Sequence, residues 1–241
     1  MSAARDDDAR DARPPDGPPD GPPDGPPDGP PAIAVDPASP LATVLEHDDV
    51  RRLAAALHAT PGREADVADI EPPPRRAAVA LVLRVGEAGA LELLFIRRAE
   101  FEGDPWSGHV AFPGGRHEPG DATLWDTARR ETHEEIALDL ARDGVLLGTL
   151  DDLHPRTRVL PSIVVRPHVV VAAPSAPLVL SDEVAAVFWV PVRRLVGPAA
   201  SVTSTVRARG LELQVPSFVH EGHVIWGMTE RILQQLLGML G

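Results

Sequence analysis

Three glutamates near residue 133 are the side chains of this sequence best suited to chemistry. Glu131, Glu134 and Glu135 would lie on one side of a helix, because a turn of about 100° per residue places their carboxylates within an arc of roughly 100°. Each like-charge pair costs roughly 0.2–0.5 kcal/mol, and the negative end of the helix dipole opposes all three. A hard divalent cation would reverse this penalty, since Mg²⁺ and Mn²⁺ prefer oxygen ligands.

The same pattern also fits an acidic helix face that only meets water. Two neighbouring features favour a site. Gly114 and Gly115 precede the helix in a turn suited to close backbone approach, and Arg130 comes four residues before Glu134. Other catalytic motifs are incomplete: His133-Glu134 lacks the second histidine of a zinc protease helix, and no Gly-x-Ser-x-Gly is present.

Two missing residue types narrow the chemistry further. The sequence has no Cys, which excludes disulfides, thiolate metal sites and cysteine nucleophiles. All 23 basic residues are Arg, which excludes phosphate-binding loops and Schiff-base chemistry that depend on lysine. The net charge of −13 comes without a basic stripe, so nucleic acid is not an expected partner. No membrane-spanning run or signal segment is visible, and we expect a soluble, cytoplasmic protein.

Hydrophobic periodicity predicts the elements that hold these residues. A strong helix is expected over residues 122–138, with Asp121 as its N-cap. Further patterns predict a closing helix over 228–240, a hairpin within 211–225, and strands over 77–85, 91–97, 109–112, 145–150, 164–173 and 184–190. Strands mixed with a few helices indicate an α/β sandwich with a mixed sheet.

The chain divides into three parts by composition. Residues 14–29 are four Pro-Pro-Asp-Gly repeats with nothing apolar to bury, so we expect residues 1–35 to form a disordered tail. Residues 36–74 predict an N-terminal helical extension that ends in the hinge Pro72-Pro73-Pro74. Residues 75–241 form the main domain.

The segment 115–138 resembles the Nudix box, G-x5-E-x7-R-E-U-x-E-E-x-G-U, where U is aliphatic. The matching residues are Gly115, Arg130, Glu131, Glu134, Glu135 and Leu138. Four features depart from the pattern: Asp121 replaces the first Glu, eight residues rather than seven separate it from Arg130, Thr132 replaces an aliphatic residue, and Ala137 replaces the last Gly.

Within that family, the chain is similar to the coenzyme A pyrophosphatases. Asp121 and the eight-residue spacing are features of that subgroup, and so are three further segments: Val110–Gly115, Ser181–Val184 with Phe188–Pro191, and Ile225–Thr229. The usual Thr-x-Arg-Ser of the second strand is replaced by Phe95-Ile96-Arg97-Arg98.

The resemblance implies a Nudix-type α/β/α sandwich and a metal-dependent diphosphate hydrolase. Coenzyme A would be cleaved to 4′-phosphopantetheine and adenosine 3′,5′-bisphosphate. Two or three Mg²⁺ or Mn²⁺ ions would be held by Glu131, Glu134, Glu135 and the backbone carbonyl of Gly115. Arg130 would orient the glutamates, and Glu134 would accept the proton from water.

Substrate contacts are expected from Gly114 and from the strand-end arginines Arg97 and Arg98, which could grip a phosphate. Trp106 and Trp226 could stack a base but fit a core role better, and His109 and the His220–His223 turn are weak candidates. Two other functions stay open: hydrolysis of ADP-ribose or dinucleoside polyphosphates, and a non-catalytic nucleotide-binding module, against which the crowded glutamates argue. A homodimer is left open as the oligomeric state.

Overall fold

The computed structural model describes residues 35–36, 38–101, 107–155, 162–174, 176–197, 200–208 and 211–240. All but the last residue of the predicted tail, and Trp106, lie outside them. The helices are α1 (Pro40–Leu45), α2 (Asp48–Ala59), α3 (Leu124–Ile136) and α4 (Gly227–Leu240). The strands are β1 (Arg75–Val85), β2 (Leu91–Arg98), β3 (Val110–Ala111), β4 (Gly114–Arg116), β5 (Gly144–Thr149), β6 (Ile163–Ala172), β7 (Val184–Pro191), β8 (Ser201–Ala208), β9 (Leu211–His220) and β10 (His223–Trp226).

A mixed sheet of seven strands forms the centre of the fold. Its main path runs β3-β2-β1-β6-β5, while β4 pairs with β1 and β7 pairs with β2. The β1–β6 pair is parallel and the other pairs are antiparallel. β1 is apolar on both sides because helices cover both faces of the sheet.

Each face of the sheet has its own apolar layer. On one face, Ala80, Val82 and Ile96 pack with Ala128 and Ile136 of α3. On the other face, a larger cluster joins strand residues to both other helical regions, with Leu53 and Leu57 from α2, Leu233 and Leu236 from α4, and Phe95 among its members. The predicted α/β/α sandwich with a mixed sheet is confirmed. No helix in the described ranges is long and apolar enough to cross a membrane.

Two local predictions were wrong, and one strand was not predicted. The N-cap of α3 is Thr123, which forms a reciprocal capping box with Asp126, whereas Asp121 lies outside the helix. The glycine pair is not a free turn, because Gly114–Arg116 forms the short strand β4 against β1. Strand β8, which pairs with β9 over its whole length, was not predicted.

Candidate active site

Helix α3 carries the three glutamates on its last turns. The helix begins after the Thr123 cap and ends at Ala137, whose backbone is left-handed with φ 56°. Its apolar residues lie against the sheet, and this packing also buries the side chain of Glu135. Glu135 is 4% exposed, whereas the side chain of Glu134 is 58% exposed. The side chain of Glu131 is 19% exposed, so the three carboxylates sit in three different environments.

Glu135 is held between the helix and the strands. The backbone N–H of Gly114 donates a 2.9 Å hydrogen bond to its Oε2, and Nη1 of Arg98 lies 4.0 Å from its Oε1. The pKa of this carboxyl is raised to about 8, chiefly by burial and also by the nearby charges of Glu131 and Glu183, while the Gly114 N–H and Arg98 lower it in part. Glu135 therefore lies at a position where its ionised form is less stable than it would be in water.

The glycine pair leaves room for these carboxylates. Gly114 has φ +146°, and a Cβ there would stand 2.3 Å from the carbonyl oxygen of Ala78. A Cβ on Gly115 would stand 2.4 Å from the carboxyl carbon of Glu131. Glycine at 114 lets the backbone of β4 lie this close to β1, and a side chain at 115 would displace the Glu131 carboxylate.

Arg130 ties the site together with its whole guanidinium group. Its Nη1 donates to Oε1 of Glu131 and to Oε2 of Glu134, each at 3.0 Å. Its Nε and Nη2 donate to the two carboxylate oxygens of Asp121, also at 3.0 Å. Nη2 further donates to the backbone carbonyl of Arg116. One arginine therefore fixes the distance between the glutamates and anchors them to the loop before the helix.

Asp121 aligns with the first Glu of the Nudix box, but the only structural role that we predicted for it was that of a helix cap, and the structure places it in the hydrogen-bond network of Arg130. The Arg130 guanidinium holds the pKa of this buried carboxyl well below its usual range. Thr127 donates a 2.9 Å hydrogen bond to it, and His117 lies 3.0 Å from the Thr127 hydroxyl. The spacing that aligns Asp121 with the first Glu of the Nudix box was the signal in the sequence that could have identified it.

The donor chemistry fits a divalent cation. Burial raises the pKa of Glu131, and its charge adds to the raised pKa of Glu135, so added positive charge would stabilise both carboxylates. In the described part of the chain, no three acidic or histidine side chains already converge at metal-ligand distance. Glu131 and Glu134 are held by Arg130 instead, and binding of a cation must compete with that guanidinium.

Arg97 and Arg98 end β2 on opposite faces of the sheet. Arg98 shares the α3 face with Ile96 and approaches Glu135. Arg97 shares the other face with Phe95, whose ring stacks on Phe188 at 5.8 Å. His223 in turn stacks on Phe188 at 4.1 Å. The two arginines therefore do not converge on one point.

Near Arg97, Trp226 lies edge-on to His109, with ring centroids 4.8 Å apart. Trp226 is half-buried, so part of this aromatic surface remains accessible. Residues of this region of the sheet thus combine a guanidinium, two imidazoles and an indole.

Two segments that are distant in the sequence, at Gly114 and at Ser181–Glu183, meet at Glu135, and a third, at Thr229, contacts strand β3. The Ser181 N–H donates to the backbone carbonyl of Glu135 at 2.9 Å, and the Ala99 N–H donates to the carbonyl of Glu183 at 2.8 Å. The Thr229 hydroxyl donates to the carbonyl of Val110 at 3.1 Å. Glu183 was not predicted as a site residue, yet its carboxylate lies close enough to Glu135 for its charge to raise the pKa of that carboxyl.

The chain was also compared with known proteins. The NUDIX domain model matches residues 73–208. The "Uncharacterized Nudix hydrolase NudL" of Yersinia pestis (strain Pestoides F) is 32% identical over 145 residues, which span 60% of this chain and 70% of that protein. The protein of the same name from Yersinia pseudotuberculosis serotype O:1b (strain IP 31758) gives the same figures.

Two solved structures illustrate the structural matches. The MutT/nudix family protein from Enterococcus faecalis aligns with a TM-score of 0.47 at 19% identity, covering 73% of this chain and 71% of that chain. The C. elegans Ap4A hydrolase in a binary complex aligns with a TM-score of 0.42 at 21% identity, covering 49% and 81% of the two chains. The family match at 73–208 runs from just before β1 to the end of β8 and includes the three glutamates of α3.

Proposed function

The chain belongs to the Nudix hydrolase family, and we propose that it hydrolyses a nucleoside diphosphate linked to a second group, with Mg²⁺ or Mn²⁺ as cofactor. The observation that carries this proposal is the crowding of Glu131 and Glu135 against the Gly114–Gly115 backbone, where burial raises the pKa of both carboxyls. Without a cation, two carboxylates buried this close together would only destabilise the fold. A divalent cation site, in contrast, requires them.

The residues divide the work as follows. Glu131 and Glu135, with the backbone carbonyl of Gly115, would hold the cation, which neutralises the diphosphate and acidifies the attacking water. Glu134, the exposed glutamate, would accept the proton from that water. Arg130 orients Glu131 and Glu134, because one nitrogen donates to both. Arg98 and the backbone of Gly114 face the same carboxylate and would steady the diphosphate.

Coenzyme A is the substrate that we propose. The segments resembling coenzyme A pyrophosphatases, Val110–Gly115, Ser181–Val184 and Ile225–Thr229, supply neighbours of Glu135 or of the strand leading to it. These segments would therefore contact different parts of an extended substrate. The products would be 4′-phosphopantetheine and adenosine 3′,5′-bisphosphate, formed when water replaces one phosphate of the diphosphate bridge.

The opposite placement of Arg97 and Arg98 separates their roles in this proposal. Arg98, beside Glu135, would contact the diphosphate that all candidate substrates share. Arg97 lies on the face with Phe188 and His223, and its Nε is buried without a hydrogen-bond partner among the described residues. It would bind the 3′-phosphate, which only coenzyme A carries, through a charge-assisted contact.

The test is kcat/KM for coenzyme A, dephospho-coenzyme A, ADP-ribose and diadenosine tetraphosphate with Mg²⁺ and Mn²⁺. Coenzyme A should exceed dephospho-coenzyme A by roughly ten- to a hundredfold, as expected for an arginine–phosphate contact of about 1.5–3 kcal/mol. Arg97→Ala should remove most of that ratio, while Arg98→Ala should lower kcat/KM for all four substrates alike.

Three other results would redirect the proposal. Equal rates for coenzyme A and its dephospho form would refute the role of Arg97. Faster turnover of ADP-ribose or diadenosine tetraphosphate would assign the enzyme to those substrates. Nucleotide binding without turnover of any diphosphate would make the chain a binding module.

A further inference from the structure

A chain of hydrogen bonds runs from the glutamates of α3 to a histidine at the edge of the site. Arg130 donates from its Nε and Nη2 to both carboxylate oxygens of Asp121. The Thr127 hydroxyl donates a 2.9 Å hydrogen bond to Oδ2 of the same carboxylate. Nδ1 of His117 lies 3.0 Å from that hydroxyl oxygen. Thr127 and His117 are thus joined to the glutamates through two other side chains.

The direction of each hydrogen bond follows from the protons that are available. The Thr127 hydroxyl has one proton to donate and two lone pairs that accept. Its proton goes to Asp121, because an ionised carboxylate is the stronger acceptor and the alternative, the backbone carbonyl of Thr123, is farther away at 3.4 Å. The hydroxyl oxygen therefore accepts a hydrogen bond from His117, and this requires a proton on Nδ1 of the ring.

The Asp121 carboxylate is fixed from three directions. Its Oδ2 accepts from the Thr127 hydroxyl, from the Glu118 backbone N–H at 3.0 Å and from Nη2 of Arg130. The Asp121 side chain is 5% exposed, and Thr127 is fully buried. A valine methyl group in place of the hydroxyl would fill the same buried space, so water would not replace the lost hydrogen bond.

We propose that Thr127 and His117 are positioning residues for the hydrolysis and act on the glutamates through Asp121. Their hydrogen bonds set the angle of the carboxylate to which Arg130 donates from Nε and Nη2. The remaining nitrogen, Nη1, then reaches an oxygen of two glutamates at once. A guanidinium is planar and rigid, so a tilt at the carboxylate end displaces Nη1 at the glutamate end. This role rests on the proposed function, since it requires that the glutamates carry out the reaction.

A small displacement of Arg130 is enough to change the rate. Its bonds to the two glutamates are 3.0 Å long, and a nitrogen that moves away by about 1 Å no longer makes them. Misplacement by about 1 Å lowers a reaction rate by up to roughly a hundredfold. Loss of the Thr127 hydroxyl should therefore lower kcat by about tenfold. It should leave KM for the diphosphate unchanged, because Thr127 is buried and does not meet the substrate.

The experiment measures kcat and KM of three variants of the full chain with Mg²⁺ and the diphosphate that the wild type hydrolyses fastest. Thr127→Val removes the hydroxyl, and Thr127→Ser keeps one. Thr132→Val is the matched control, because Thr132 is equally buried on the same helix and its hydroxyl donates to the helix's own carbonyl at Ala128. We expect Thr127→Val to lose about tenfold in kcat at an unchanged KM, and the other two variants to keep the wild-type kcat.

A double-variant cycle tests whether Thr127 acts through Asp121. If it does, Thr127→Val should lower kcat by about twofold at most in a chain that already carries Asp121→Asn, because residues of one network are not additive. Fully additive losses would overturn the proposal. So would a wild-type kcat in Thr127→Val, or an equal loss in Thr132→Val, because the hydroxyl would then have no role beyond the helix itself.

Nitrogen NMR of the chain without metal or substrate tests the network apart from turnover. The neutral ring of His117 should carry its proton on Nδ1. The Nε–H of Arg130 should exchange slowly with water in wild type and Thr127→Ser and faster in Thr127→Val. A His117 proton on Nε2 in the wild type would overturn the proposal even if Thr127→Val failed to fold. A wild type that hydrolyses no diphosphate would instead refute the proposed function, and these signals would still decide whether Thr127 positions Arg130.

Discussion

At the scale of single residues, the site contains two carboxyl groups with opposite pKa shifts. Burial disfavours the ionised form of Glu135, whereas Arg130 stabilises the ionised form of Asp121. Burial raises the pKa of Glu135 to about 8, whereas Arg130 lowers the pKa of Asp121. Arg130 joins Asp121 to Glu131 by hydrogen bonds, and the charge of Glu131 acts on Glu135. Asp121 therefore supports the position of the arginine, and Glu135 is kept in a state that a cation would relieve.

Replacing Glu135 by Gln should stabilise the metal-free protein at high pH. With a pKa near 8 when folded and near 4.5 when unfolded, Glu135 binds more protons in the folded state between these values. Its contribution to the free energy of unfolding therefore falls as pH rises from 4.5 to 8, by on the order of 4 kcal/mol. Urea unfolding in EDTA should show equal stability near pH 4.5 and a more stable Glu135→Gln at pH 8.

Adding Mg²⁺ or Mn²⁺ should reverse that order, because the cation binds the folded wild type and not the variant. Comparison with the variant also cancels the effect of His168, whose pKa burial lowers to about 4 and which destabilises both proteins as pH falls below about 6.5. Wild-type stability that does not change relative to the variant between pH 4.5 and 8 would contradict the buried state of Glu135.

Arg130→Gln should destabilise the fold and abolish most activity. It leaves Asp121 buried without its guanidinium partner, at a cost of about 2–4 kcal/mol. Adding Asp121→Asn should restore over half of the lost stability, since the orphaned charge is removed, but not the activity, since Glu131 and Glu134 still lack their common donor. Thermal unfolding of the two variants checks the predicted stabilities, and their kcat checks the predicted loss of activity. Recovered activity in the double variant would refute the orienting role of Arg130.

At the scale of elements, local sequence predicted strands that have their own apolar pattern and missed strands imposed by partners. β1, β2 and β6 were predicted because both their faces are buried. β4 is only Gly114–Arg116, and its extended form comes from pairing with β1. Five of the eight residues of β8 are polar, so its own sequence has a weak apolar pattern, and its extended form comes from pairing with β9.

In the candidate site, too, the relations set within one element were predicted, and those between elements were not. The three glutamates of α3 were identified because a helix sets their relation. The link from Asp121 to Arg130 crosses from a loop to a helix, and no helical spacing encodes it. The separation of Arg97 from Arg98 onto two faces follows from strand alternation, whereas the prediction gave both arginines the same phosphate-binding role.

Ala137→Gly should raise the stability of the protein. Ala137 ends α3 with φ 56°, a conformation that costs a Cβ-bearing residue roughly 1–2 kcal/mol and glycine little. The greater entropy of glycine in the unfolded chain offsets part of this gain, and a net increase in stability of about 0.5–1 kcal/mol should remain. Ala55→Gly, in the exposed middle of α2, is the matched control and should lower stability by about 1 kcal/mol. The same sign for both changes in thermal unfolding would contradict this account of the helix end.

At the scale of the whole molecule, the N-terminal helices belong to the core of the sheet. Val44, Val50, Leu53 and Leu57 are buried in one cluster with Phe95 and Leu233. The Pro-Pro-Asp-Gly repeats before them offer no apolar residues. The chain before β1 should therefore contain one dispensable part and one essential part.

Two truncations test this division. Removal of residues 1–31 should leave the melting temperature and kcat within error, because the repeats have nothing to bury. Removal of residues 1–62 exposes the face that α2 covers and should cost several kcal/mol or prevent folding. A clear drop in melting temperature for the shorter truncation would show that the repeats contact the domain.

The central claim, that α3 holds a catalytic divalent cation through Glu131 and Glu135, is tested most directly by diphosphate hydrolysis against Mg²⁺ or Mn²⁺ concentration. Wild type and Glu135→Gln are compared with Glu87→Gln, which changes an exposed glutamate in the turn between β1 and β2. We expect wild type and Glu87→Gln to have equal, saturable, EDTA-sensitive activity, and Glu135→Gln to lose well over tenfold in kcat. Retention of more than about a tenth of kcat, a loss below about 1.4 kcal/mol, or full wild-type activity in EDTA would contradict the claim.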